Sequence, residues 1–125
     1  MKYLIIVFLA AVFVGALCPA ASAGYDLHIT RAKEWTESKD TPVPLDDWVR
    51  FVKSDSEFRL VTPQDPNDKP KDAIWTDPKS KQEIYFYYSN GEITVKDADE
   101  RTIAKMKQVA EKLKAKVVGD EGEGY

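Results

Sequence analysis

Cysteine is all but missing from this chain: its one thiol, Cys18, directly follows an apolar N-terminal run. Beyond Cys18 there can be no disulfide, no thiol nucleophile and no thiolate ligand for a metal. Histidine is nearly as scarce. His28 stands alone, so a zinc-type centre, which needs several nitrogen or sulfur ligands, has no donor set. No G-x-S-x-G pattern or other nucleophile setting is present, and no internal repeat is found. A basic stripe is lacking too. Apart from Lys2, 17 basic side chains are interspersed among 21 acidic ones, a net charge of −4, which argues against nucleic acid or an anionic membrane surface as partner.

The one long apolar run, Tyr3 to Leu17, follows Lys2 and leads through Pro19 to Ala21-Ser22-Ala23. A short apolar core ending in a small-x-small site is the pattern of an export signal, so residues 1–23 are expected to be a cleaved signal peptide and the product periplasmic or secreted. Two competing readings are a retained membrane anchor and acylation at Cys18. Pro19 and the small residues speak against the anchor, and Leu17, where a small residue is wanted, speaks against the lipid. Residues 24–125 are then a single domain, large enough for a modest core without staples and not in contact with a membrane after cleavage.

What remains is patterned. Tyr25 to Thr30 alternate as a half-buried strand, with His28 on the polar side. After Pro42 and Pro44, Leu45, Trp48, Phe51 and Val52 recur at helical spacing, with Asp46 and Asp47 in the first turn, predicting a helix to about Ser54 and a core position for Trp48. Phe58 to Val61 and Ala73 to Thr76 read as short strands around a proline-rich loop. Asn90-Gly91 between alternating runs predicts a type I′ hairpin from Glu83, pairing Ser89 with Glu92, Tyr88 with Ile93 and Phe86 with Val95. Ile84, Phe86, Tyr88, Ile93 and Val95 share its apolar face. Ile103, Met106, Val109, Ala110 and Leu113 then mark a helix stripe, with Asp97 expected as N-cap and Glu100 completing a capping box. The expected fold is α+β: an antiparallel β-sheet of four to six strands with two helices packed on one face.

Chemistry has few candidates. Paired carboxylates are plentiful in any acidic chain, and His28 on a strand reads more simply as a surface or hydrogen-bonded residue. The tail carries Asp120, Glu121 and Glu123 among glycines and ends in Tyr125. It could wrap a hard cation, but lacks the spacing of a calcium loop and is expected to be a flexible, solvated terminus. Large rings are more informative. Trp35, Trp75, Tyr85 and Tyr87, with His28, form the expected partner-binding set, because Tyr and Trp anchor protein contacts and Tyr85 and Tyr87 point away from the apolar face of the hairpin.

The blocks Tyr25-Asp26-Leu27-His28-Ile29-Thr30 and Ala104-Lys105-Met106 through Gly119-Asp120-Glu121-Gly122-Glu123 to Tyr125 resemble the two ends of a family of small, uncharacterised bacterial proteins. The resemblance covers about half the chain beyond the signal. Those proteins lack the export signal and carry glycine where this chain has Lys114, which implies a different or more strained helix end here. The resemblance brings no activity with it. By analogy alone, such small acidic domains are similar to immunity proteins that neutralise toxins. The expected function is thus an exported binding protein with another protein as partner and no cofactor, an immunity-type inhibitor being one form. The alternative is a small periplasmic hydrolase using carboxylates or His28.

Overall fold

A computed structural model describes residues 25–125; the expected signal peptide lies outside them. The chain runs β1 (Asp26–Thr30), a 3-10 turn (Trp35–Glu37), α1 (Leu45–Ser54), β2 (Phe58–Leu60), β3 (Ala73–Thr76), β4 (Glu83–Ser89), β5 (Glu92–Lys96), α2 (Glu100–Lys112) and β6 (Lys116–Gly119). The strands form one sheet in the order β2-β3-β4-β5-β1-β6, every neighbouring pair antiparallel. This is the α+β architecture expected. Strands β2 to β5 form a meander, and β1, first in sequence, sits between β5 and β6.

The hairpin register follows from its turn. Asn90 and Gly91 both have positive φ, 53° and 81°, as a type I′ turn requires. Ser89 accordingly faces Glu92 and Tyr88 faces Ile93. Phe86, Ile93 and Val95 are fully buried, with Ile84 and Tyr88 packed half-buried beside them. Helix α1 brings Trp48 onto this face. Its indole stacks on Phe86 and meets Phe58 edge-on, with centroids 6.3 and 5.9 Å away, and its Nε1–H donates to the Lys71 carbonyl at 2.7 Å. Helix α2 lies against β6 and β1. Its stripe buries Met106, Val109, Ala110 and Leu113. Among the described residues no helix is long and apolar enough to cross a membrane.

Three local expectations are corrected. The N-cap of α2 is Asp99, whose Oδ1 accepts the Thr102 N–H at 2.8 Å. Asp97 instead takes a left-handed backbone (φ 51°) and donates its N–H to the Tyr25 carbonyl, fastening the end of β5 to the start of β1. Strand β1 is not half-buried: His28 and Thr30 on its polar side are 4% and 0% exposed, because other segments cover that side. One of them is the tail, which is not a frayed end. It turns at Gly122 and runs back along β6, with Val118 bridged to Gly124 and the Tyr125 N–H donating to the Val117 carbonyl at 3.0 Å.

Candidate functional site

Strand alternation sends His28, Glu92, Thr94, Tyr85 and Tyr87 to the sheet face opposite the helices. The protein divides this face in two. Over β1, β5 and β6 it is covered by the Trp35–Ser38 turn and the tail, whereas over β4 it is open.

In the covered half, His28 is the centre. Its Nδ1 lies 2.5 Å from Glu92 Oε1 and its Nε2 2.8 Å from Asp120 Oδ1. A carboxylate at each nitrogen favours the charged form of the ring, which donates both N–H groups. Burial works against that charge, but the hydrogen bonds to Glu92 and Asp120 outweigh it and raise the pKa above its ordinary value. Trp35 closes the top, its indole stacked at 3.9 Å and 6° on the imidazole. Asp120 ties the segments together. It accepts the Asp26 N–H on Oδ2 at 3.2 Å, and its carbonyl accepts Trp35 Nε1–H at 2.9 Å. Beside it, the Ser38 and Thr30 hydroxyls meet at 2.6 Å and pin the turn to β1. Tyr25 donates its hydroxyl to Glu123, a bond that pushes its pKa up to about 12.

Chemically this is a clasp. A general base needs a nitrogen lone pair facing a reactant, and both nitrogens of His28 already face carboxylates. Two carboxylates of the tail are also engaged, Asp120 with His28 and the Asp26 N–H, and Glu123 with Tyr25. Among the described residues no three His, Cys, Asp or Glu side chains are grouped to hold a metal ion.

The open half presents Tyr85 and Tyr87, 44% and 39% exposed. Their rings stack on each other, centroids 5.6 Å apart, and Lys96 Nζ lies 5.8 Å from the Tyr87 centroid. The Arg59–Glu83 pair, 3.2 Å apart, borders the patch.

The partner-binding set of the sequence is thus scattered. Tyr85 and Tyr87 stand together at the surface, Trp35 and His28 stack inside the clasp, and Trp75 is corrected to a core position. It is 3% exposed, between Phe58 and Ile84 in the sheet, with Nε1–H donating to Glu57 Oε1 at 2.8 Å. Asp120 and Glu123 hold the fold, while Glu121 and Tyr125 remain exposed. Sequence reasoning missed Glu92 as the partner of His28. The signal was available, because the hairpin register puts Glu92 on the same face as Thr94 and Tyr87. Compared with protein-family models, curated proteins and solved structures, the chain gave no match.

Proposed function

We propose that this is an exported binding protein that acts by covering a surface of a partner protein, in the manner of the small acidic inhibitors that neutralise toxins. The observation that carries the reading is the exposed Tyr85–Tyr87 stack on β4, inside the sheet rather than at its edge. Each phenol offers a large rigid contact area at low entropic cost, with a hydroxyl to satisfy at the rim. Their strand is flanked on both sides, Tyr85 pairing with Ile74 of β3 and Tyr87 with Thr94 of β5, so little ordering remains to be done on binding. Lys96, Arg59 and Glu83 supply charges of both signs around the rings, which favours a polar partner surface over an apolar one.

The hydrolase alternative would need a free base in a cleft, and His28 offers no unengaged nitrogen. The test is retention of a partner from the periplasmic or culture fraction. Wild-type protein should retain one, and Tyr85→Ala/Tyr87→Ala, which leaves the core intact and melts as wild type does, should lose it. Retention unaffected by the double substitution, or none by the wild type, overturns the reading.

A further inference from the structure

We propose that the cleft between α1 and the C-terminal end of α2 binds a phosphate-type oxyanion, either the free ion or the phosphoryl group of a small organic molecule. The cleft, about 710 Å³, is lined by Arg31, Arg50, Lys112 and Lys114 around one carboxylate, Asp47. Such a volume suits a small ligand. Asp47 is already engaged by both arginines, Oδ2 to Arg31 and Oδ1 to Arg50, each at 3.2 Å. The lysine ammonium groups make no hydrogen bond or ion pair with any described residue. Three positive charges are therefore left uncompensated in one cleft of an acidic protein.

The arrangement is also pre-set. Arg31 Nε donates to the Leu113 carbonyl at 2.8 Å, which fixes the guanidinium and satisfies a helix-end acceptor at once. Helix α2 closes in a Schellman turn, with Ala115 N–H to the Ala110 carbonyl at 2.8 Å and Lys114 N–H to the Glu111 carbonyl at 3.2 Å. The turn puts Lys114 in the left-handed region, φ 56°, a position that glycine fills without strain. Compensation of the helix dipole accounts for a lysine at either 112 or 114. It does not account for Arg31 and Arg50 arriving from two other elements, nor for a lysine, rather than glycine, at the strained position. Phosphate oxygens match this set, because arginine and lysine together give forked and point donors. Phe51 and Leu113, which also line the cleft, offer an apolar wall to an organic group.

Titration followed by amide NMR shifts tests the site, with inorganic phosphate, phenyl phosphate and sodium chloride at matched ionic strength. Saturable shifts at Arg31, Phe51, Leu113 and Lys114 with phosphate, not reproduced by chloride, are expected. Tighter binding of phenyl phosphate assigns the site to an organic phosphate, and equal affinity assigns it to the free ion. Arg50→Ala/Lys114→Gly removes two cations at exposed positions and relieves the left-handed lysine, so the variant should fold at least as stably. Its phosphate affinity should fall about tenfold or more. Non-saturable shifts that chloride matches, or undiminished affinity in the variant, overturn the proposal. The site is independent of the tyrosine patch, so either can fail alone.

Discussion

Trp35 lies flat on His28, ring centroids 3.9 Å apart and planes 6° from parallel. The contact explains how a protein with one histidine can bury it on the nominally wet side of a strand. A charged imidazole over an indole gains a cation–π attraction of about 0.5–2 kcal/mol, and the indole in turn shields the imidazolium–carboxylate bonds from water, where they are strongest. Turn, strand and tail thereby become one unit.

That unit has a pH dependence with a definite sign. The pKa of His28 is raised in the folded state, so its contribution to stability is fully present below about 6.5, the unfolded value, and is lost as pH climbs through the folded value. Asp120 shifts the other way. Burial raises its pKa, but the hydrogen bond from His28 brings it below the ordinary value, so its contribution fades only as acid protonates it. The groups facing the imidazole are Glu92 from β5 and Asp120 from the tail, and Lys39 lines the same cavity as Glu92. Glu92→Gln removes one anion and keeps an acceptor. It should lower the His28 pKa and move the alkaline loss of stability to lower pH. NMR titration of the His28 ring protons, shifted by the indole above them, measures both. An unchanged pKa in the variant would refute the assignment of Glu92 as a charged partner.

A second buried cation makes a parallel case. Lys105, on α2, donates from Nζ to Asp55 Oδ2 at 2.8 Å and Glu57 Oε1 at 2.9 Å, and Glu57 also accepts from Trp75. Burial works to raise the Asp55 pKa, but the Lys105 bond outweighs it and the net shift is downward. For Glu57 the bonds from Trp75 and Lys105 lead, and its pKa is lowered as well. Removing one partner of a fully buried pair costs about 3–5 kcal/mol. Here water can reach the carboxylates, so Lys105→Ala should cost less, roughly 1–2 kcal/mol. The loss is expected above pH 5 and should shrink in acid, as pH falls through the lowered pKa values and Asp55 and Glu57 take up protons. Urea unfolding of wild type and variant at pH 3 and pH 7 checks the difference; equal losses at both would count against an ionic role.

Legibility in the sequence tracks the range of the interaction. The Asn90-Gly91 turn, the α2 stripe and the Trp48 helix rest on contacts a few residues apart, and periodicity exposes them. The cap moved from Asp97 to Asp99 because Asp97 is drawn into a long-range bond with Tyr25, which no local pattern encodes. The clasp joins residues 28, 35, 92 and 120, and a polar-faced strand gives no sign that a turn and a tail will cover it. Lys105 lies off the apolar stripe of α2, and nothing local marks it as buried, because its partners, Asp55 and Glu57, are about fifty residues upstream. Trp75 could not be told from a surface aromatic, since a strand of four residues is too short to show which face is buried.

Gly91 couples the hairpin to the rest of the protein, beyond what its turn type requires. Its carbonyl accepts the Val43 N–H at 2.9 Å, and a Cβ built on it would come within 2.5 Å of the Ser38 carbonyl oxygen and 2.6 Å of Pro42 Cβ. Two costs therefore add in Gly91→Ala. A left-handed backbone at φ 81° costs a residue with a side chain about 1–2 kcal/mol, and the clash meets a backbone oxygen and a rigid ring, neither of which can rotate aside. The expected loss is at least about 2 kcal/mol, roughly 10 °C in Tm for a domain of this size. Asn90→Gly tests the same turn without the clash, and should leave Tm within about 3 °C of wild type. A thermal melt of Gly91→Ala matching wild type would mean that the turn does not pack on the segment from Ser38 to Val43.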